Sequence, residues 1–67
     1  MKLTAPEKIV IYRHRNQLTQ ATLADLVHMS TSTLARIESG SRPVTLDELS
    51  AIAKVLRIPI SELLPDN

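Results

Sequence analysis

The chain has 67 residues, eight Lys/Arg, seven Asp/Glu and a formal net charge of +1, so it is long enough for one domain, residues 1–67. It has no cysteine, and His14 and His28 form no ligand cluster, so we expect no disulfide, no metal and no cofactor. No apolar run approaches the ~18 residues of a membrane span. The N-terminal MKLTAPEK has no signal-peptide core, and we therefore expect a cytoplasmic protein without membrane contact.

The composition indicates a helical protein with an aliphatic core. There is no phenylalanine or tryptophan, and there is one tyrosine and one glycine. Residues 1–44 carry six Lys/Arg against three Asp/Glu, whereas residues 45–67 carry two against four. The basic part of the chain is therefore the part to search for an anionic partner such as nucleic acid.

The first predicted helix begins after Thr4, which stands three residues before Glu7 in a capping-box pattern, and extends to about Asn16. Its inward face is expected to carry Ile9, Tyr12 and Arg13. The β-branched residues Val10 and Ile11 lie off that face, and one of the two is expected to be exposed. A turn follows, with Leu18 as an apolar plug.

Two short helices with a tight corner between them are predicted over residues 19–40. Helix 2 spans about Gln20–Val27 and helix 3 about Thr31–Ser39. Their N-caps are Thr19 and Ser30, and Gly40 ends the second helix because glycine takes a left-handed backbone without steric cost. The outer face of helix 3 has small side chains and one arginine, which suits a helix that enters a groove: Thr31, Ser32, Ala35 and Arg36.

The rest of the chain predicts a loop and two more helices. Pro43 keeps Arg42 out of the helical region. Thr45 and Glu48 form the clearest capping box, and helix 4 follows to about Leu56. Its apolar stripe is expected to be Leu46, Leu49, Ile52, Ala53 and Leu56. A last short helix is predicted over Ile60–Leu64, and no segment alternates as a strand would. The fold class is all-α with five helices.

Most of the chain resembles one known family. The segment LTQATLADLVHMSTSTLARIESGSRPVTLDELSAIAKVLRIPISELL resembles the Cro/repressor (XRE-type) helix-turn-helix family, and the resemblance extends from about Ile9 to Leu64. It implies a five-helix lambda-repressor-like bundle with helices 2 and 3 as the helix-turn-helix. It also implies that helix 3 reads the DNA major groove as one half of a symmetric dimer.

The resemblance implies roles for single residues. Base contacts are expected from Thr31, Ser32, Ala35 and Arg36. Phosphate contacts are expected from Thr19, Gln20, Thr33, Ser41 and Arg42. A structural ion pair between helices 1 and 3 is expected from Arg13 and Glu38. The alternative for Arg36 is a solvated surface residue or a partner of Asp25 or Glu38, and the alternative for the threonine and serine residues is capping alone.

Three positions depart from the family pattern. His28 stands at the corner where glycine is usual, so the corner is either strained or differently shaped. Arg57 also replaces a usual glycine, which predicts a different end for helix 4. Leu26 occupies a usually polar position and is expected to be exposed.

The function predicted is a transcriptional regulator or repressor that binds operator DNA as a homodimer: Cro-like, a restriction-modification controller, or a plasmid or phage regulator. The dimer surface is expected to include Val55, Ile58, Ile60 and Leu64. The alternative is an antitoxin-type module that binds a toxin as well as DNA, through the apolar residues Val10, Ile11 and Leu26. No serine lies in a strand–turn–helix elbow and the carboxylates are scattered, so we expect no enzymatic activity.

Overall fold

The structure is a computed structural model that describes residues 2–67, and Met1 lies outside the described residues. Residues 2–67 form four α-helices: α1 (Ala5–Arg15), α2 (Gln20–Leu26), α3 (Thr31–Glu38) and α4 (Leu46–Leu56). A single 3₁₀ turn, Ile60–Glu62, follows α4. The all-α class is confirmed. The predicted last short helix is present at the predicted place, but it is shorter than expected and is a 3₁₀ helix, because only three residues after Pro59 take helical geometry and their bonds are of the 3₁₀ kind.

The predicted N-caps are confirmed. The hydroxyl oxygen of Thr19 accepts a hydrogen bond from the Thr22 amide at 3.1 Å. Ser30 accepts from the Thr33 amide in the same way, also at 3.1 Å. Thr4 and Thr45 each complete a capping box with the glutamate three residues later. These caps satisfy amides that have no partner inside the helix, so each helix begins where its cap stands.

Each α-helix in the described chain is followed, one or two residues after its last residue, by a residue with a left-handed backbone. The residues and their φ angles are Gln17 (58°), His28 (59°), Gly40 (81°) and Arg57 (60°). In α2 the amide of His28 donates to Asp25 and that of Met29 to Ala24, which is the Schellman pattern. The corner at His28 therefore keeps the left-handed geometry, at a cost for a residue with a Cβ. The expectation for Arg57 is wrong, because α4 ends in the same manner.

The core is aliphatic, as predicted. Its fully buried side chains come from α1, α2, α3, α4 and the C-terminal segment: Ile9, Leu23, Leu34, Ile37, Ile52, Leu56 and Leu63. Leu18 packs against this core, as expected. Leu46 does not, since it is 65% exposed in the first turn of α4, and its place in the apolar stripe was wrong. Val10 and Ile11 are both half-buried, so neither is the exposed apolar residue expected on α1.

The two ends of the described chain are fastened together. The ammonium group of Lys8 contacts the Leu64 carbonyl and an Asp66 carboxylate oxygen, both at 2.7 Å. The amide of Leu3 donates to the other carboxylate oxygen of Asp66, and the Asp66 amide donates to the Leu3 carbonyl. These contacts lower the pKa of Asp66. No helix between residues 2 and 67 is long and apolar enough to cross a bilayer.

Candidate nucleic-acid interface

Helix α3 is divided into a buried face and an exposed face. Leu34 and Ile37 are fully buried against the core. Thr31, Ser32 and Arg36 are exposed, and Ala35 is half-buried. The predicted base-contact residues therefore share one surface of one helix, as their spacing requires.

Arg36 is available for a ligand. Its side chain is exposed and forms no ion pair with any carboxylate of residues 2–67. Its carbonyl, by contrast, is occupied, accepting from the Ser39 and Ser41 hydroxyls and from the Ser41 amide. Arg36 therefore does not pair with Asp25 or Glu38, as the alternative would require.

The predicted ion pair between Arg13 and Glu38 is present and buried. The Nε and Nη2 atoms of Arg13 donate to the two carboxylate oxygens of Glu38 at 2.8 and 3.0 Å. The remaining Nη1 atom donates to the Leu18 carbonyl at 2.9 Å. The side chains are only 10% and 4% exposed. The pair ties the last residue of α3 to α1 and to the turn before α2.

The expected phosphate contacts near α2 lie at its beginning. Thr19 is an exposed cap, and its hydroxyl also donates to the Thr22 hydroxyl at 2.9 Å. Gln20 is half-buried, and its amide nitrogen donates to Glu38 at 2.9 Å. That bond was not predicted. Gln20 and Glu38 lie 18 residues apart, so no helical spacing could indicate the contact.

The expected phosphate contacts after α2 lie at the two ends of α3. Thr33 is half-buried and accepts from the Ser30 hydroxyl at 2.8 Å. Ser41 is exposed, and its hydroxyl shares a hydrogen bond with Ser39 at 3.0 Å. Both hydroxyls therefore already have a partner within the chain, and a phosphate would be an additional one.

Arg42 has an intramolecular partner that sequence reasoning missed. Its Nη1 and Nη2 atoms donate to the two carboxylate oxygens of Glu48 at 3.0 and 2.8 Å, and Nη1 also donates to the Pro43 carbonyl. The hydrogen bond from Arg42, together with that from the Thr45 amide, lowers the pKa of Glu48 to about 2. Glu48 thus closes the α4 capping box and holds the loop arginine at once. The other edge of the guanidinium, formed by Nε–H and the second hydrogen of Nη2, donates to no acceptor among residues 2–67.

The predicted dimer residues lie at the end of α4 and beyond it. Val55, Ile58 and Ile60 are half-buried against the core, and Leu64 is 39% exposed. Next to them, the Tyr12 hydroxyl donates to Glu62 at 2.8 Å, which raises the pKa of Tyr12. The guanidinium of Arg15 stands 5.1 Å from the centre of the Tyr12 ring. Three of the four predicted residues thus pack partly against the core, and Leu64 is the exposed one.

Comparison with known proteins identifies the fold and the family. The family described as helix-turn-helix matches residues 11–63. The chain belongs to the XRE-type helix-turn-helix family of DNA-binding transcription regulators. The matched residues include all of α2 and α3, and therefore also the exposed face of α3. No curated protein matches the sequence closely enough to be counted a relative.

Solved structures agree with this membership. The restriction-modification controller protein C.AhdI from Aeromonas hydrophila is 30% identical, with a TM-score of 0.85, and 90% of this chain covers 91% of it. The P22 c2 repressor, solved in complex with a synthetic operator, shares the fold at 24% identity, with a TM-score of 0.83 and coverage of 92% and 94%. Hydroxypropylphosphonic acid epoxidase from S. wedmorenis is 32% identical, with a TM-score of 0.82 and coverage of 91% and 32%. The regulators are matched over nearly their whole length, whereas the likeness to the epoxidase concerns about a third of that enzyme.

Proposed function

We propose that this chain regulates transcription by binding operator DNA as a homodimer, with α3 of each protomer in the major groove. The observation that carries the proposal is the exposed face of α3, where Arg36 keeps its donors free while both ends of the helix are fixed. The likeness to C.AhdI favours a restriction-modification controller over the other small regulators considered, which are Cro-like, plasmid and phage proteins.

Sequence reading is assigned to four residues of α3. The major groove admits one α-helix, and residues near its N-terminus reach base edges. Arg36 can donate two parallel hydrogen bonds to O6 and N7 of guanine, which is worth about 1–3 kcal/mol of discrimination. The hydroxyls of Thr31 and Ser32 can bond to several bases, and the methyl group of Ala35 can contact thymine.

Phosphate contacts are assigned to the residues around α3. Contacts to phosphate fix the position of a protein on the duplex and carry no sequence information directly. We assign them to Thr19, Gln20, Thr33, Ser41 and Arg42. For Arg42 the contact would use the guanidinium edge that Glu48 leaves open. Because Glu48 offsets the charge of Arg42, this contact should add less electrostatic attraction than an unpaired arginine would.

The dimer contact is assigned to the end of α4 and the segment after it, with the residues Val55, Ile58, Ile60 and Leu64. A two-fold dimer of this motif places its recognition helices about 34 Å apart, one turn of the duplex. Introducing a charge with Leu64→Glu should convert the dimer to monomer in sedimentation experiments, because an ionised carboxylate does not tolerate burial in an apolar contact. Wild-type protein that stays monomeric both alone and on DNA would contradict the dimer.

The test of the proposal is selection from randomised duplexes, followed by fluorescence anisotropy with the recovered duplex and with a scrambled one. We expect a two-fold symmetric sequence, specific binding at least about a thousandfold tighter than non-specific binding, and affinity that falls as salt rises. Arg36→Ala should lose most of that preference. Equal affinity for the recovered and scrambled duplexes would contradict the proposal.

One observation supports a second candidate, an antitoxin-type module. Leu26 on α2 is 50% exposed, as expected from the sequence, and it is one of the few large apolar side chains at the surface of the described residues. Such a module would hold a protein partner through Leu26 while it binds DNA through α3. Leu26→Glu would then release the partner and leave binding to the recovered duplex unchanged. This candidate would be removed if the protein formed no stable complex with any other chain encoded in the same operon.

A further inference from the structure

The carboxylate of Glu38 joins three helices. Arg13 contacts it from α1 through two hydrogen bonds, and Gln20 contacts it from the first position of α2. Glu38 itself is the last residue of α3. The Oε1 atom accepts from both Arg13 and Gln20, at 3.0 and 2.9 Å. The end of α3 is thus held from two sides at one oxygen atom.

Of the three residues Arg13, Gln20 and Glu38, only Gln20 is also a proposed phosphate contact. It is half-buried and directly follows the exposed cap Thr19. Its amide nitrogen carries two hydrogens, of which the bond to Glu38 uses one. Arg13, in contrast, is buried and has its donors on Glu38 and on the Leu18 carbonyl.

The hold on Glu38 matters for the other end of α3. Thr31 lies seven residues before Glu38, about 10 Å along the helix axis. A tilt of about 10° around the Glu38 end would therefore move the Thr31 end by about 2 Å. Hydrogen bonds to base edges do not survive such a displacement, whereas diffuse attraction to phosphates does.

We infer that Gln20 is a positioning residue for sequence reading: its hydrogen bond to Glu38 fixes the angle of α3 against α2. This inference rests on the proposed function, in which α3 reads the bases. It assigns to Gln20 a role in specificity in addition to the phosphate contact proposed above, which would act on all DNA sequences alike.

The roles can be separated by the ratio of specific to non-specific affinity. Gln20→Ala and the similarly shaped Gln20→Met remove the donor to Glu38. If Gln20 only contacts phosphate, the two affinities fall by the same factor and their ratio is unchanged. If it positions α3, we expect the ratio to fall by about tenfold, with affinity for the scrambled duplex changed much less. Ser50→Ala, at an exposed position of α4, is the matched control and should behave as wild type.

A second measurement tests the bond without DNA. Any single replacement of Glu38 would leave the buried Arg13 charge without its partner, so the variant to use is the double replacement Arg13→Met/Glu38→Leu, which buries no charge and removes the acceptor of Gln20. In the wild type, the side-chain NH₂ signals of Gln20 in a ¹⁵N correlation spectrum should be shifted from the positions of solvent-exposed glutamines, and Arg13→Met/Glu38→Leu should move them back.

A mutant cycle that combines Gln20→Met with Arg13→Met/Glu38→Leu, measured on the ratio of specific to non-specific affinity, should be non-additive.

The outcomes are distinct. Wild type without preference for any recovered duplex overturns the proposed function and the positioning role together. Wild-type preference that survives Gln20→Ala and Gln20→Met overturns the positioning role alone, as does an equal loss of specific and non-specific affinity. Additive effects in the cycle, or Gln20 signals like those of a solvated glutamine, also overturn it.

Discussion

Two arginine–glutamate pairs between residues 2 and 67 have the same chemistry and different surroundings. Both are bidentate, with hydrogen bonds of 2.8–3.0 Å. Arg13 and Glu38 are 10% and 4% exposed and join helices far apart in sequence, whereas Arg42 and Glu48 are 32% and 23% exposed and lie six residues apart. The second pair is therefore much more accessible to solvent than the first. The buried pair therefore fixes tertiary structure, whereas the half-exposed pair adjusts a loop and its charge.

The largest effect is expected from breaking the buried pair. Arg13→Ala would leave the Glu38 carboxylate buried with Gln20 as its remaining donor, which typically costs about 3–5 kcal/mol of unfolding free energy. For a chain of this size that is a large fraction of the total stability. Urea unfolding followed by circular dichroism would measure it. A loss below about 1 kcal/mol would mean that the pair behaves like a surface pair.

Replacing both partners should have a smaller effect on stability. In Arg13→Met/Glu38→Leu no charge remains buried, and such replacements are often neutral or stabilising by about 1–4 kcal/mol. In the same urea titration, we expect the free energy of unfolding of the double variant to exceed that of Arg13→Ala by about 3 kcal/mol or more. It should nevertheless lose preference for the recovered duplex, because Gln20 no longer has its acceptor on α3. Restored stability together with restored preference would show that the pair serves stability only.

The contribution of the half-exposed pair to folding stability should be lost at acid pH. The pKa of Glu48 is about 2 in the folded chain and 4.5 in its reference state, so its contribution is present above pH 4.5 and is lost as the pH falls from about 4.5 to about 2. Solvent screening reduces this contribution to roughly 1 kcal/mol. Glu48→Gln should lower stability by that amount at pH 7 and by almost nothing at pH 2. Since Glu7 and Asp66 also have lowered pKa values, the difference between variant and wild type is the quantity to compare. A difference independent of pH would contradict the assignment.

The smallest effect concerns DNA. In Glu48→Gln the guanidinium of Arg42 is no longer offset by a carboxylate, so affinity for the recovered and the scrambled duplex should rise together, by about threefold at low salt. The gain should shrink as salt is added. Anisotropy titrations at several salt concentrations would measure it, with Arg42→Gln as the opposite control. Unchanged affinity in both variants would remove Arg42 from the phosphate contacts.

The sequence predicted the helix boundaries well because local chemistry sets them. Caps at Thr4, Thr19, Ser30 and Thr45 act within three residues, and the structure places each of the four α-helices within about one residue of its prediction. The exposed face of α3 was predictable for the same reason, since helical spacing decides which side chains share a surface.

What the sequence did not predict depends on contacts between distant segments. The bond from Gln20 to Glu38 spans 18 residues, and the clasp of Leu3 and Asp66 spans 63. Leu46 was assigned to the core by its period, but the first turn of α4 extends beyond the core. The helix ends at His28 and Arg57 keep the left-handed backbone of a glycine, because the chain must turn there for Met29 and Ile58 to reach the core. A preference of single residues was overruled by packing.

The role of α3 can be tested directly by mapping backbone amide shifts on addition of the recovered duplex to ¹⁵N-labelled protein. We expect the largest changes at Thr31, Ser32, Ala35 and Arg36, with smaller ones at Thr19 and Gln20. At Ala35 the scrambled duplex should cause a much smaller change than the recovered one. Largest changes on another face, such as the exposed side of α4, would contradict the assignment of α3 as the DNA-reading helix.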